Sequence, residues 1–184
     1  MMHPIKEFVV SSKKQATRKM KENNGRWPRF DSCISIGDPG QKPPYGFRFI
    51  PYRMRLEFDD VDSNEIGFSA PCEDDISRIL NFAQLSKKRG DQSIIVNCEA
   101  GISRSTAAAY IFLCHVYGIG KENEAMLKVI ESSEVQEICP NELMIKIADK
   151  KMKRNGKMIK VFDYHFPELP SPENLNEKYK GLRV

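Results

Sequence analysis

The chain has 184 residues, which is the usual size of one globular domain and is long enough to bury a sizeable core. Its composition, with 40% hydrophobic and 29% charged residues, excludes a fibrous repeat and a wholly disordered chain. The net charge of +4 permits an acidic or phosphorylated partner, but it is too small for a dedicated nucleic-acid binder, so no nucleic-acid partner is expected.

The five cysteines are widely spaced and odd in number, and they form no CxxC pair or cluster with histidines. This pattern indicates neither a disulfide framework nor a zinc site, and we expect no metal and no other cofactor. Reduced thiols favour a cytoplasmic location. The sequence contains no run of the ~20 apolar residues that a spanning helix needs, and its N-terminus lacks the apolar core of a signal peptide, so we expect no membrane association.

The first half of the chain predicts strands and helices in alternation. Three short strands are expected, at Phe8–Ser12, Ser32–Ile36 and within Phe47–Phe58. A basic helix, Lys13–Glu22, follows the first strand. Pro71–Asp75 opens a second helix, because its acidic residues suit the positive end of the helix dipole, and Lys87–Gly90 closes it. The apolar face predicted for that helix consists of Ile76, Ile79, Leu80, Phe82, Ala83 and Leu85.

The second half begins with Ser93–Val96, a strand so uniformly apolar that it must be buried. Arg104–Tyr117 is apolar nearly all round, which predicts a helix at the centre of the domain. Two more helices are predicted at Lys121–Ser132, with Ala125, Met126, Val129 and Ile130 inward, and at Asn141–Arg154. The order of elements predicts an α/β domain over residues 1–154, with a mostly parallel central sheet flanked by helices on both faces. Residues 155–184 are expected to form a C-terminal extension that is partly packed and partly flexible.

A cysteine loop joins the buried strand to the apolar helix. Cys98 follows the strand, Gly101 allows a tight turn, and Arg104 stands six positions after the cysteine, where the helix begins. Backbone amides that turn toward a helix N-terminus form an anion site. These amides and Arg104 would stabilise a thiolate, and the planar guanidinium can hold two oxygens of a phosphate. Cys98 could instead be a small buried side chain, but the joint pattern favours a nucleophile combined with an oxyanion clamp.

The loop sequence resembles the C-x5-R-S/T phosphate loop of the cysteine-dependent protein tyrosine phosphatases, particularly their dual-specificity branch. The residues that carry the resemblance are Cys98-Glu99-Ala100-Gly101-Ile102-Ser103-Arg104-Ser105. A looser resemblance extends from about Phe8 to Arg154 and includes Pro140-Asn141. It implies the fold of a tyrosine or dual-specificity phosphatase, and a substrate site formed by Glu99, Ala100, Gly101, Ile102 and Ser103.

The same resemblance implies a two-step mechanism that needs no metal. Cys98 would attack phosphorus to give a cysteinyl-phosphate, Arg104 would bind the equatorial oxygens, and Ser105 would hydrogen-bond the sulfur so that it can leave. An aspartate just after the preceding strand would protonate the leaving group and then act as a base toward water. Asp60 matches the family pattern best. Asp59 and Asp62 compete with it, and all three could instead form a solvated acidic turn.

One residue departs from the family pattern, because Asn97 stands where the family usually has a histidine before the cysteine. An asparagine amide can donate and accept hydrogen bonds but cannot carry charge, so we expect retained but altered activity. The alternative is a pseudophosphatase, a phosphoprotein-binding module with weak or no turnover. Asn97 favours that alternative, whereas Cys98, Arg104 and Asp60 favour an enzyme.

The expected partner is a phosphorylated protein or peptide. Phosphotyrosine, with or without phosphoserine and phosphothreonine, is the leading substrate class, because the loop lacks the lysines that phosphoinositide phosphatases of this superfamily place there. An RNA 5′-triphosphatase would need an aromatic and basic surface that the sequence does not display. Sulfur-transfer and arsenate-reducing domains fit Ser105 and the apolar helix less well. The oligomeric state stays open.

Overall fold

The computed structural model describes residues 5–22, 28–63 and 66–167. Within them the elements are β1 (Glu7–Ser12), α1 (Lys13–Lys21), β2 (Ser32–Gly37), β3 (Tyr52–Glu57), α2 (Glu73–Arg89), β4 (Ser93–Cys98), α3 (Arg104–Tyr117), α4 (Glu122–Ser132), α5 (Glu142–Lys151) and α6 (Lys157–His165). A short 3-10 helix, Phe47–Phe49, precedes β3. The predicted strands and the helices up to α5 are present, with ends that differ by a few residues.

The four strands form a parallel sheet in the order β1-β4-β2-β3. Parallel strands place their carboxyl ends at the same edge, so the loops that follow them meet there. β4 lies between β1 and β2, with Cys98 opposite Ser12, and with Asn97 opposite both Ser11 and Ser35. The cysteine loop therefore leaves from the interior of the sheet edge, with the loops of the neighbouring strands around it.

Helices cover both faces of this sheet, as predicted. α1 covers one face over a small core of Val9, Ala16, Met20, Phe30, Cys33, Ile50 and Ile95. The other five helices of the described residues share the larger core on the opposite face. Side chains alternate along each strand, so Ile95 faces α1 whereas Ile94 and Val96 face the larger core. α3 lies at the centre of that core, because a helix that is apolar all round is stable only when it is surrounded. Its bounds are the predicted ones.

α6 is the element that the sequence did not predict. It lies in the predicted C-terminal extension, yet Met158 and Phe162, one helical turn apart, are buried in the larger core. The Asp149 carboxylate accepts hydrogen bonds from the backbone N–H groups of Gly156 and Met158, at 2.7 and 2.9 Å, and so fixes the start of α6. Residues 168–184, the remainder of the predicted extension, lie outside the described residues.

Two side chains predicted to point inward are exposed instead. Leu85 of α2 and Ile130 of α4 are both on the surface. The other residues predicted for these two faces are buried or half-buried, so Leu85 and Ile130 lie at the edges of the inward stripes. Among the described helices, none combines the length and the apolar character that crossing a membrane requires.

Candidate active site

The cysteine loop places two hydrogen-bonding groups beside its sulfur. Cys98 is 1% exposed. Its Sγ atom accepts a hydrogen bond from the N–H of Gly101 at 3.2 Å. The hydroxyl of Ser105 lies 3.2 Å from the same sulfur. Ser103 accepts the backbone N–H of Ala107 and so begins α3. The predicted cysteine, glycine and serine are thus brought into direct contact.

Gly101 is required by the way the loop packs against β1. Its φ of +82° lies in the left-handed region, which side chains disfavour. A Cβ atom at this position would lie 2.5 Å from the backbone nitrogen of Ser12 and 2.7 Å from the carbonyl carbon of Ser11. The absence of a side chain therefore lets the loop lie directly on the end of β1.

Arg104 is buried beside the loop, with one nitrogen anchored and another unsatisfied. Its Nη1 atom donates to the Asp38 carboxylate and to the carbonyl of Phe58, both at 2.6 Å. Its Nε atom lies 3.6 Å from the Asp60 carboxylate and has no hydrogen-bond partner among the described residues. Buried donors are rarely left unsatisfied. The guanidinium is therefore held in place with a donor available for an additional oxygen.

Asp38 is a site residue that the sequence did not predict. It follows β2 in the sequence Gly37-Asp38-Pro39-Gly40, which indicates a turn and nothing more. Gln41 donates to the second Asp38 oxygen at 2.7 Å, and Arg55 of β3 donates to the carbonyl of Gln41 at 2.7 Å. These two hydrogen bonds hold the turn in place, so that the position of Asp38 beside Arg104 is fixed. The available signal was its position, since an acid directly after a buried parallel strand lies at the same edge as the cysteine loop.

The three candidate aspartates have different partners. The Asp60 carboxylate accepts hydrogen bonds from the Ser103 hydroxyl at 2.6 Å and from the Asn141 amide at 3.1 Å. Asp59 accepts the backbone N–H of Ser69 at 2.7 Å and braces its own loop. Partial burial raises the pKa of Asp62, although the backbone N–H of Leu143 in α5 stabilises its charged form. Of these three carboxylates, Asp60 is the one that contacts the cysteine loop.

Asn141 connects the acid, the loop and α5. Its amide nitrogen also donates to the carbonyl of Val61 at 3.2 Å, and its side-chain oxygen caps α5 by accepting the N–H of Met144 at 3.0 Å. Its own backbone N–H donates to the carbonyl of Ser103. One residue therefore fixes the loop of Asp60 relative to the cysteine loop. The sequence resemblance included Asn141 without assigning it this role.

Asn97 lies under the loop, on the α1 face of the sheet. Its side chain is buried between Ser11 and Ser35 in the register, with its oxygen 4.0 Å from the Cys33 sulfur. The Nδ2 atom has no hydrogen-bond partner within residues 5–22, 28–63 and 66–167. The Asn97 side chain thus contributes no hydrogen bond from Nδ2 to the described part of the loop.

The outer residues of the loop form the rim of the site. Glu99, Ala100 and Ile102 are exposed, and Glu99 pairs with Lys13 at 3.5 Å. This rim surrounds the buried sulfur on the solvent side. Among the described residues, no group of three or more His, Cys, Asp or Glu side chains is arranged to hold a metal ion.

Three other thiols, those of Cys33, Cys114 and Cys139, lie where burial favours the protonated form. Burial raises the pKa of Cys33, and it raises the pKa of Cys114 to about 12 despite the nearby charge of Arg154. Burial followed by the charges of Asp62 and Asp60 raises the pKa of Cys139, whose backbone N–H donates to the carbonyl of Ile102. Burial therefore disfavours the thiolate form at these three cysteines.

Comparison with known proteins identifies the fold. No family model matches the sequence, and no curated protein sequence matches it. Solved structures do match: the Cydia Pomonella PTP-2 phosphatase is 15% identical with a TM-score of 0.56, over 79% of this chain and 85% of that one. Human DUSP28 is 14% identical with a TM-score of 0.54, over 87% and 99% of the two chains. PTPMT1, crystallised in complex with PI(5)P, is 15% identical with a TM-score of 0.53, over 83% and 97%. The predicted phosphatase-like α/β fold is confirmed.

Proposed function

We propose that this protein is a cysteine-dependent phosphomonoesterase that hydrolyses phosphotyrosine, with or without phosphoserine and phosphothreonine, in proteins or peptides. The observation that carries the proposal is the contact of the Cys98 sulfur with two polar groups, the Gly101 nitrogen and the Ser105 hydroxyl, each at 3.2 Å. Arg104 is buried beside the same loop, and Asp60 contacts the loop through the Ser103 hydroxyl. This combination supplies a nucleophile, an oxyanion clamp and an acid.

In the first step, the Cys98 sulfur attacks phosphorus, and the bond from phosphorus to the leaving oxygen breaks. The loop amides and the Nε donor of Arg104 bind the phosphoryl oxygens, where charge develops in the transition state. Asp60 gives its proton to the leaving oxygen. The products of this step are the dephosphorylated side chain and a cysteinyl-phosphate.

In the second step, Asp60 takes a proton from water, and the water oxygen attacks phosphorus. The bond between phosphorus and sulfur breaks, and inorganic phosphate is released. The Ser105 hydroxyl donates to the departing thiolate, which restores the starting state of Cys98. Ser103 and Asn141 support both roles of Asp60, because they hold its carboxylate against the loop.

The depth of the nucleophile favours phosphotyrosine within this substrate class. Cys98 is 1% exposed, so the longer phosphotyrosine side chain reaches its sulfur more readily than phosphoserine does. Residues 99–103 of the loop contain no lysine or arginine that would bind the additional phosphates of an inositol lipid. All five cysteines are unpaired, which supports action in a reducing compartment, and we propose the cytoplasm.

The test is steady-state hydrolysis of a small aryl phosphate and of phosphotyrosine and phosphothreonine peptides between about pH 5 and 8. We expect turnover by the parent chain, none by Cys98→Ser, and a loss of about 10²–10⁴ in kcat for Asp60→Ala. Asp59→Ala and Asp62→Ala are matched controls with smaller losses. If either control loses more than Asp60→Ala does, the acid is assigned to the wrong aspartate.

The same variants separate an enzyme from a phosphoprotein-binding module. Phosphopeptide binding by Cys98→Ser, together with turnover by the parent, supports the phosphatase. Binding by both chains without turnover by either would overturn the enzymatic proposal in favour of the binding module. The unsatisfied amide of Asn97 is the observation that keeps this second function in the test.

A further inference from the structure

A groove adjoins the cysteine loop where β1 continues into α1. It has a volume of about 390 Å³ and is lined by Ser12, Lys14, Gln15, Arg18 and Val135. Its first residue, Ser12, lies opposite Cys98 in the sheet and contacts the backbone at Gly101. The residue at one end of the groove, Ser12, is therefore in direct contact with the loop that holds the nucleophile.

The walls of this groove are held in a defined position. The segment after α4 pairs with β1, through a bridge between Ser133 and Val10 and a hydrogen bond from Glu134 N–H to the carbonyl of Val10 at 2.8 Å. Gln15 donates to the carbonyl of Glu134 at 2.9 Å and forms a capping box with Ser12. The wall from α1 and the wall from residues 133–135 are thus fixed to each other.

The cations of α1 differ in how they are compensated. Lys13 pairs with Glu99 at 3.5 Å, and Lys19 pairs with Glu134 at 3.1 Å, so these two acids are already neutralised. Lys14, which lines the groove, forms no ion pair with any described residue. The positive charge of Lys14 is therefore not balanced by an acidic side chain of the described residues.

Arg18, the other cation of the groove, is only weakly compensated. Its Nε atom lies 3.7 Å from a Glu22 oxygen, and the second Glu22 oxygen binds Arg29 at 3.0 Å. The exposed pair of Arg18 and Glu22 contributes little. Lys14 in turn lies in the first turn of α1, which contains no acid, and a cation there opposes the helix dipole. Arg18 lies in the last turn, where a cation suits the dipole, so the stability of α1 leaves only the charge of Lys14 unexplained between these two residues.

We propose that this groove binds acidic side chains that flank the phosphorylated residue of the substrate, so that Lys14 and Arg18 select an acidic phosphopeptide. This inference rests on the proposed function, since the groove adjoins that site. Lys14 and Arg18 are one turn apart, about 6 Å along the helix axis. Residues i and i+2 of an extended peptide point to one side at a spacing of about 6.7 Å. Two acidic residues at alternate positions therefore match the two cations.

The experiment compares phosphotyrosine peptides that differ only in charge. One peptide has Glu at two alternate positions on each side of the phosphotyrosine, and the other has Gln at the same positions. The measured quantity is the ratio of kcat/KM for the two peptides. We expect a preference of about fivefold for the Glu peptide, decreasing as salt is added, because the pairs are partly exposed.

The double variant Lys14→Glu, Arg18→Glu is expected to abolish or invert this ratio. The double variant Lys157→Glu, Lys160→Glu makes the same charge change on exposed positions of α6 and is expected to leave the ratio unchanged. An equal ratio in the parent and in the groove variant would overturn the inference. An equal loss in both double variants would also overturn it, since net charge alone would then explain the preference.

Binding of the same peptides to Cys98→Ser, measured by fluorescence anisotropy, separates this inference from the proposed function. If the parent chain shows no turnover, a preference for the Glu peptide in binding that disappears with the groove variant still supports the groove. If the parent chain hydrolyses both peptides equally and Cys98→Ser binds them equally, the groove inference fails while the phosphatase stands.

Discussion

Two arginines of this protein are equally buried but have different surroundings. Arg104 and Arg154 are each 5% exposed, and each binds a carboxylate and at least one backbone carbonyl. Arg154 donates to Glu122 at 2.7 Å and to the carbonyls of Gly118 and Cys114 at 2.9 and 2.8 Å. Glu122 is itself 4% exposed. The Arg154 pair is therefore sealed between the end of α3 and the start of α4.

The carboxylates beside Arg104 are open to solvent. The side chains of Asp38 and Asp60 are 40% and 35% exposed, whereas that of Arg104 is 6% exposed. A sealed pair cannot exchange its partner and serves the fold, but an open pair can exchange a carboxylate contact for a ligand oxygen. The exposure of the partners, and not the burial of the arginine, distinguishes the candidate phosphate-binding arginine from the structural one.

The largest effect is expected at the sealed pair. Arg154→Ala leaves the Glu122 carboxylate buried without its partner, which should lower the free energy of unfolding by about 3–5 kcal/mol. Chemical denaturation followed by circular dichroism measures this loss, and Lys150→Ala, on the exposed side of α5, is the control. Unchanged stability of the Arg154→Ala protein would show that the sealed pair does not support the fold.

At the open pair, the expected loss is in activity. Arg104→Lys keeps the charge but loses the planar fork, so kcat/KM for an aryl phosphate should fall by about 10²–10³. The free energy of unfolding should change much less than in Arg154→Ala. A variant that unfolds easily but keeps the activity of its folded fraction would reverse the roles assigned to the two arginines.

A smaller effect is expected at the carboxylate that anchors Arg104. Asp38→Ala removes a charge-assisted hydrogen bond of 2.6 Å, and kcat/KM should fall about tenfold as the guanidinium loses its orientation. Asp38→Asn keeps an acceptor and should recover part of the activity. Asp163→Ala, at an exposed position of α6, is the control. Full activity in Asp38→Ala would mean that the carbonyl of Phe58 orients Arg104 alone.

The smallest effect is a pH dependence of stability at the sealed pair. Burial alone would raise the pKa of Glu122, but hydrogen bonds from the backbone N–H groups of Glu122 and Gly120 and from Arg154 lower it below its usual 4.5. Ionised Glu122 thus stabilises the fold above about pH 4.5, and this contribution is lost as the pH falls through the lowered pKa. Glu122→Gln should show a shallower loss of stability below that pH. If the free energy of unfolding falls equally with pH in the parent and in Glu122→Gln, the assignment is contradicted.

Local patterns accounted for the elements that depend on burial. The uniformly apolar β4 and α3 could be predicted because no partly exposed element tolerates such a surface, and the loop between them carried its own motif. α6 was missed because its apolar residues, Met158, Ile159, Val161 and Phe162, do not form a surface as uniform as that of α3. Its start also depends on Asp149, a contact that no local pattern indicates.

The site was predictable where it is one continuous segment and was not where it is assembled from distant ones. Cys98, Gly101, Arg104 and Ser105 lie within eight residues, so their spacing was visible. Asp38 lies 66 positions before Arg104, in the turn Gly37-Asp38-Pro39-Gly40. Aspartate is common in such turns, so nothing in the sequence assigned Asp38 to the site. The brace from Asn141 to Asp60 spans 81 positions and depends on the packing of α5.

The central claim is tested most directly by mass spectrometry of protein quenched in acid during hydrolysis of a small aryl phosphate. The account predicts one phosphoryl group on the peptide that contains Cys98, and none in Cys98→Ser. With a nitrophenyl phosphate, whose phenolate leaves without protonation, this group accumulates in Asp60→Ala, because only the second step then needs Asp60. Hydrolysis that proceeds without phosphorylation of Cys98, or that persists in Cys98→Ser, would contradict it.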